Sequence, residues 1–504
     1  MSAYPALRPE RPPRRRLAQL AALVPEAAPD AAAHTDVQIT GITHDSRGVR
    51  PGDLYAALPG ERTHGARFAG DAVRAGAVAV LTDPAGRPAA EATGVPAVIV
   101  AAPRGVLGAV AAWVYGDPSA DLSVLGVTGT NGKTTTAYLL EAGLRAAGHT
   151  TGLVGTIDTR VAGERVPSVR TTPECTDLQA LFAVMRERGV DSVAMEVSSH
   201  ALALHRVDGT RFAAGLFTNL SQDHLDFHGD LETYFAAKAA LFDGRCAHEI
   251  VNIDDPYGRR LVRPATVTVS AEGAPEAAWR ATGIEHRSGG PAFEVYGPHG
   301  AHAAAAVRSP GAFSVANALL AIAALVTVGV PLTDAVRGTA ALDVPGRMEQ
   351  VDRGQGFLAF VDYAHTPEAI AGVLAALRPL AKGRLIVVLG GGGDRDRSKR
   401  PLMGAAAARS AEVVIVTDDN PRSEDPADIR AAIAGGARQA GSAEVLDIAG
   451  RREAIGTAVR LAAAGDTVLV AGKGHEQGQE VGGVVHPFDD RSVLVELIDG
   501  AGAP

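Results

Sequence analysis

Short apolar runs recur along this chain, each ending in a polar, glycine-bearing turn, with stretches of helical spacing between them. Up to Tyr115 the segments VQITGITHDSRGVRPGDLYAALPG, AVAVLTD and AVIV predict short strands and turns. From Leu122 to about Arg347, TGLVGTI, DSVAMEVSS, FAAGLFTNL and HEIVNIDD alternate with helical segments. This is the pattern of a mostly parallel sheet with helices on both faces. A third block opens near Gln350 with FLAFVDYAH, RLIVVLGGGG, EVVIVTDDN and DTVLVAGKG between Ala-rich helices. Ligands of open α/β sheets sit at the carboxyl ends of strands, so the loops after these strands are expected to line one cleft. The division read from the pattern is 1–116, 117–347 and 348–504, with the first ~16 residues a disordered tail, in line with roughly 150 residues per domain.

The sharpest local signal runs from Leu122 to Leu140, LSVLGVTGTNGKTTTAYLL. An apolar strand stops at Thr128, and a helical pattern follows from Thr135. The turn between them, Gly129, Thr130, Asn131, Gly132, Lys133, Thr134, gathers backbone N–H groups at a helix N-terminus, which suits a nucleotide phosphate. Lys133 is placed to reach terminal phosphates, and the Thr134 hydroxyl to hold Mg²⁺. Val127 stands where the common loop has its first glycine, with Gly126 and Gly129 on either side.

Composition changes the picture by exclusion. The 504 residues are 46% apolar and 21% charged, as in an ordinary globular protein. A net charge of −9 speaks against general nucleic-acid binding. Only Cys175 and Cys246 occur, which argues against a disulfide framework and fits a reducing cytoplasm. Arg14-Arg15-Arg16 before LAQLAALV and Ala31-Ala32-Ala33 looks superficially like a secretory signal. The apolar part is short, contains Gln19 and runs into Pro25-Glu26, so a basic tail and a first helix are expected. No run approaches the ~20 apolar residues of a spanning helix, and no membrane insertion is expected.

Three further places carry titratable groups. Glu196 ends an apolar strand, His224 sits in NLSQDHLDFHG, and Lys238 lies in TYFAAKAALF. Read alone, Glu196 is a hydrogen-bonded strand-edge carboxylate, His224 belongs to a polar loop with capping aspartates, and Lys238 is an exposed helix lysine.

The wording GTNGKTTT resembles the Mur ligases and their folylpolyglutamate synthase relatives, and the likeness extends over nearly the whole chain apart from the N-terminal tail and about 260–305. It implies a central P-loop sheet, a C-terminal Rossmann-like α/β domain and a smaller N-terminal α/β domain. It also implies a cytoplasmic, monomeric, ATP-dependent amide ligase that forms an acyl phosphate on a substrate carboxylate, which the amine of an amino acid then attacks. By the same resemblance Thr134, Glu196, His224 and Lys238 hold Mg²⁺, Lys238 as a carbamate. Gly129 to Thr135 with Asn317, Arg347 and Asp362 hold ATP, and Ser46, Thr171, Thr172, Ser198, Arg206 and Lys238 hold UDP-muramoyl-dipeptide.

For the added amino acid, the strand ends Asp419-Asn420-Pro421-Arg422 and Gly472-Lys473-Gly474-His475-Glu476 matter most. Diaminopimelate differs from lysine by one carboxylate beside its distal amine, so a selective pocket needs a fixed cation and a nearby anion. Arg422 and Glu476 supply them. DNPR is the form that diaminopimelate-adding members of the tripeptide-synthetase branch carry, and Arg395 is expected to grip the other end. The alternatives are a lysine-adding member, a folylpolyglutamate synthase-like ligase, or a nucleotide switch without ligase activity. A switch would have no need of a second metal site.

Overall fold

The computed structural model describes residues 7–27, 36–60, 62–167, 170–287, 290–340 and 342–501. The chain forms two compact units: Met1–Thr128 with Gly148–Leu216 and Ala237–Glu249, and Gly129–Ala147 with Phe217–Ala236 and Ile250–Pro504. Both are discontinuous, so they cut across the boundaries drawn from sequence at 116 and 347.

The first unit opens with a four-stranded parallel sheet, in the order Gly41–Thr43, Asp53–Ala56, Ala79–Thr82, Ala97–Ile99. Alternate residues face opposite sides. Leu54, Ala56, Ala79 and Leu81 pack with Leu107, Val110 and Val114 of the helix Pro103–Val114, whereas Tyr55 and Val80 pack with Ala66, Ala69 and Ala72. A second sheet of this unit runs Glu164–Val166, Thr159–Val161, Thr151–Val154, Ser192–Glu196, Ser123–Thr128. The last three are parallel, with Val193 opposite Val124 and Gly152. Gly126 is required here by packing: a Cβ on it would lie 2.6 Å from the Phe212 ring. The displaced glycine noted in the sequence therefore serves the sheet, and Val127 is fully buried core.

The expected disordered tail is corrected by residues 7–16. The Arg8 guanidinium lies 3.4 Å from the Asp53 carboxylate, and the Glu10 and Arg11 amides donate to Glu187. Arg15–Arg16 pairs antiparallel with Gln38–Ile39. Backbone pairing and a buried ion pair hold this segment in place, although Arg11 and Arg16 keep their side chains in solvent. The run Ala31-Ala32-Ala33 lies outside the described residues.

In the second unit a six-stranded sheet runs Glu349–Gln350, Leu358–Asp362, Thr467–Ala471, Leu385–Leu389, Val413–Val416, Glu444–Asp447, parallel except at its first strand. Both faces are covered, and the alternation is sharp. Leu385, Val387 and Leu389 pack with Ile370, Met403 and Ile433 on one side. Ile386 and Val388 pack with Ile455, Val459 and Leu494 on the other. The same unit holds the strands Val267–Ser270, Trp279–Glu285, Ala292–Tyr296 and His302–Ala306, the last three antiparallel. Helices Ala312–Thr327 and Leu332–Ala340 pack against Lys133–Ala146.

One ion pair sits wholly inside this unit. Arg451 donates through Nε and Nη2 to Asp490, both at 2.7 Å, and both side chains have no exposed surface. Burial pushes the Asp490 carboxyl up and Arg451 pulls it back. Removing one partner of such a pair strands the other charge, at a cost of about 3–5 kcal/mol. Asp490→Asn should therefore lower the thermal midpoint sharply, whereas replacing the exposed pair Arg452–Glu496 should leave it nearly unchanged. Equal midpoints for the two variants in differential scanning calorimetry would refute this.

Candidate active site

In the second unit the helix Lys133–Ala146 begins two residues before the sequence pattern suggested, with Gly132 at its N-cap in the left-handed region (φ 87°). Gly129 also needs its missing side chain: φ is 146°, and a Cβ would meet the Thr218 hydroxyl at 1.8 Å. The turn is laced to the segment after Phe217. Thr130 N donates to the Asn219 carbonyl at 2.8 Å, Asn131 N to the Asn219 Oδ1 at 3.0 Å, and the Thr218 hydroxyl to the Asn131 carbonyl at 2.6 Å. Lys133 Nζ lies against the loop, 3.0 Å from the Gly129 carbonyl and 2.8 Å from that of Thr130.

The residues expected around a nucleotide are near this turn. The Asn317 carboxamide borders Gly132, where a Cβ would come within 2.4 Å of it. Arg347 donates to the Thr134 hydroxyl at 3.2 Å and stacks over the Tyr363 ring at 4.2 Å. Thr135 and Arg347 line a hollow that also includes Leu139, Ser314 and Met348. Asp362 is buried, and its oxygens accept from Met348 N and Ala364 N, each at 2.7 Å. It ties the segment before its strand to the turn after it, and burial raises its carboxyl despite the pull of Arg347.

The strand ends of the six-stranded sheet build the expected cleft. Arg395, Asp419, Asn420, Arg422, Gly472 and Glu476 all line it, together with His224. Asn420 Nδ2 donates to Glu476 Oε2 at 2.8 Å. Arg422 has φ 51°, in the left-handed region. Its Nη1 donates to the Gly393 carbonyl at 2.6 Å and its Nε faces Glu480 at 3.4 Å. Its backbone is clasped by the hairpin Gly478–Val481 and Val484–Pro487: Arg422 N donates to the Glu480 carbonyl, and Gly482 N to that of Arg422. Arg395 is exposed at the rim.

The cleft and its wall also hold groups outside the expected set of site residues. Asp223 lies 3.4 Å from His224 Nε2 and 3.6 Å from Lys399 Nζ. Burial alone would raise its carboxyl, but His224, His365, Lys399 and Lys133 together hold it well below the usual range. His365 is pushed below its ordinary value by burial and then by the charge of Lys399. Arg400 is fixed by Glu424 at 2.8 and 3.1 Å. Lys473 is fully buried beside Asp419 and Glu476. A lysine between glycines just after a buried strand was the available signal.

In the first unit, Glu196 is 1% exposed at the end of its strand. Its Oε1 accepts from Thr156 N at 2.7 Å and its Oε2 from the Thr156 hydroxyl at 3.2 Å, and that hydroxyl meets Thr171 at 2.9 Å. Thr172 donates to the Glu196 carbonyl at 2.8 Å and accepts from Ser198 N, while the Ser198 hydroxyl caps Ser199–Ala203. Glu196, Thr171, Thr172 and Ser198 are thus brought together, with Thr156 as the unforeseen link. Arg206 reaches Glu174 at 2.8 Å, which Arg104 and Arg170 also face at 3.3 and 3.7 Å. Burial opposes this carboxylate, but Arg206 and the other cations keep its pKa low. Ser46 opens the turn Ser46–Gly48, capped by Asp45.

Lys238 departs from its stand-alone reading. It is 1% exposed, on a helix Leu231–Ala239 whose continuation buries Leu241 and Phe242. An ammonium is costly to bury, so this lysine is a built feature and not a solvated one. Among the described residues no group of three or more His, Cys, Asp or Glu side chains is gathered for a metal ion.

Comparison with known proteins adds the decisive observation. The Mur ligase family catalytic domain matches residues 38–115, the Mur ligase middle domain 127–325, and the Mur ligase glutamate ligase domain 346–474. The chain is 56% identical over 490 residues to a UDP-N-acetylmuramoyl-L-alanyl-D-glutamate–2,6-diaminopimelate ligase of Streptomyces avermitilis, covering 96% of each. It belongs to the Mur ligase family.

This Mur ligase is also 52% identical to the enzyme of the same name from Corynebacterium glutamicum, over 90% of each chain. A solved structure of a UDP-N-acetylmuramoyl-L-alanyl-D-glutamate–2,6-diaminopimelate ligase matches with a TM-score of 0.64 at 33% identity, covering 92% of this chain and 96% of that one. The family match runs straight through 260–305, which the sequence reading had left outside the resemblance. Three antiparallel strands of this Mur ligase fall in that stretch or just beyond it, with too little family wording to be recognised. No helix among the described residues is long and apolar enough to cross a membrane.

The titration of His365 gives a measurable consequence. A histidine lowered in the folded state stays neutral there, while the unfolded chain takes up a proton as pH falls through the ordinary histidine value of 6.5. Stability is therefore lost on the acid side of that value. Asp223, held below 3.8, adds a further loss only at lower pH. Relative to His365→Asn, the unaltered protein should lose thermal stability between pH 7.5 and 5.5. Parallel midpoint-versus-pH curves for the two would contradict this.

Proposed function

We propose that this chain is an ATP-dependent ligase that adds diaminopimelate to UDP-N-acetylmuramoyl-L-alanyl-D-glutamate, in peptidoglycan precursor synthesis. The observation that carries the reading is the strand-end cleft, which presents an arginine, Arg422, and two carboxylates, Asp419 and Glu476, together. A diamino acid with a second carboxylate matches that set, and lysine would leave Arg422 facing an empty site. The relatives' names point the same way.

In this reading segment 1–116 holds the uridine sugar, 117–347 holds ATP, and 348–504 holds the amino acid. The enzyme acts in the cytoplasm as a monomer. Backbone N–H groups of Gly129–Gly132 and the Lys133 ammonium bind the phosphates, while Asn317, Arg347 and Asp362 shape the nucleoside end. Ser46, Thr171, Thr172, Ser198 and Arg206 hold the UDP-muramoyl-dipeptide. The γ-phosphoryl group passes to a carboxylate of the dipeptide, and ADP is released. The amine of diaminopimelate attacks the acyl carbon and loses its proton, and the acyl C–O bond breaks to release inorganic phosphate.

Mg²⁺ fits the donor chemistry of part of the proposed set. The Thr134 hydroxyl and the buried Glu196 carboxylate are hard oxygen donors, and a carbamate on Lys238 would add two more oxygens in place of a buried cation. His224 completes the set. When bound, the ion supplies charge neutralisation at the transferring phosphate.

The test is phosphate release with ATP, the UDP-muramoyl-dipeptide and each candidate amino acid. Release that needs both substrates and strongly prefers diaminopimelate is expected. Equal efficiency with lysine, activity with tetrahydrofolate and glutamate, or hydrolysis uncoupled from substrate would each overturn the reading. Arg422→Ala should raise KM for diaminopimelate about 10–100-fold, the loss of a charge-assisted pair, with KM for ATP nearly unchanged. Lys238→Ala should lose most activity and Lys238→Arg should not restore it, because a guanidinium takes up no CO₂ at neutral pH. An active arginine variant would remove the carbamate from the proposal.

A further inference from the structure

Lys473, buried directly behind the cleft residues Asp419, Asn420 and Glu476, has no part in the reaction above. It follows the strand Thr467–Ala471 after Gly472, whose φ of 114° turns the chain inward. A Cβ at Gly472 would lie 2.7 Å from Asp419 Oδ2, so the turn packs directly on that carboxylate. Lys473 has no exposed surface. Its Nζ lies 3.1 Å from Asn420 Oδ1, 3.1 Å from Glu476 Oε2 and 3.5 Å from Asp419 Oδ1.

We propose that Lys473 is a positioning residue that sets both the charge and the amide orientation of the amino-acid cleft. This rests on the reading of that cleft as the amino-acid site. The orientation follows from donor counting. Asn420 Oδ1 receives Lys473 Nζ and, at 2.9 Å, Glu480 N, both of which can only donate. Turning the amide over would set N–H against N–H at both contacts. The Asn420 NH₂ is therefore committed to Glu476 Oε2, and that carboxylate is held by two donors. The charge follows from the neighbours. Asp419 and Glu476 bring two negative charges, and Lys473 offsets one. Arg451, the next cation on that side, is matched by Asp490. Within the trio of Lys473, Asp419 and Glu476 one unit of negative charge is left, available to an ammonium of the incoming amino acid. Without Lys473 two carboxylates would repel each other across the cleft, and the amide would be free to turn.

The experiment uses the full chain, all three substrates, and whichever amino acid the unaltered enzyme prefers. Lys473→Met should raise KM for that amino acid about tenfold or more, as expected for losing charged hydrogen bonds, with KM for ATP and for the UDP-muramoyl-dipeptide changed less than about twofold. Lys473→Met should then add little to Glu476→Gln, because the lysine acts through that carboxylate. If Lys473→Met alone does not fold, the doubly neutral variant carries the test against Glu476→Gln. Similar losses in all three KM values, a fall in kcat alone, or full additivity in the double variant would overturn the proposal. A wild-type enzyme using lysine as well as diaminopimelate would instead overturn the substrate assignment and leave the role of Lys473 readable.

Discussion

A parallel strand covered on both faces has no place for a polar side chain except at its ends. The six-stranded sheet obeys this constraint closely: Leu385–Leu389 and Val413–Val416 are buried throughout and divide their residues between two helix layers. Chemistry is therefore confined to the turns at the carboxyl edge. Because the strands are parallel, those turns fall on one side, and residues far apart in sequence, such as Arg395, Asn420 and Glu476, line one cleft. The glycine-rich turn after Thr128 and the end of Ser192–Glu196 follow the same rule.

Glycine and hydrogen bonding then fix what the strands deliver. Gly129 and Gly132 adopt backbone conformations that other residues resist, and their missing side chains leave room for Thr218 and Asn317. The turn takes its shape from hydrogen bonds to 218–221. Around Glu196 the same economy appears: Thr156 satisfies both carboxylate oxygens, and Thr172 links its carbonyl to Ser198.

What was legible in the sequence was what continuous apolar runs and strand-to-helix turns report. The strand ends and the glycine-rich turn before Lys133–Ala146 fall where the pattern put them. Burial of single charged residues was not legible, because periodicity assigns a lysine to solvent by default. Lys238 is buried for tertiary reasons that no local window contains, and for Lys473 the flanking glycines after a buried strand were the one local hint. The tail failed similarly: basic residues near the N-terminus look solvated, and Arg14 and Arg16 are exposed, yet Arg8 finds Asp53 and Arg15 finds the Trp113 carbonyl, more than forty residues away in each case. The role of Glu174 as an anchor for Arg104, Arg170 and Arg206 likewise needed three dimensions.

The clasp on Arg422 bears on how amino-acid choice could change over evolution. Its guanidinium direction depends on a left-handed backbone that bulky residues adopt at some energetic cost, and on a hairpin some sixty residues later whose Glu480 and Gly482 hold that backbone in place. A four-residue signature transplanted into a relative without that hairpin would carry the right letters with the arginine aimed elsewhere. If Arg422 selects the amino acid as proposed, that selectivity belongs to a pair of loops, and a lineage exchanging one amino acid for another would have to remodel both together.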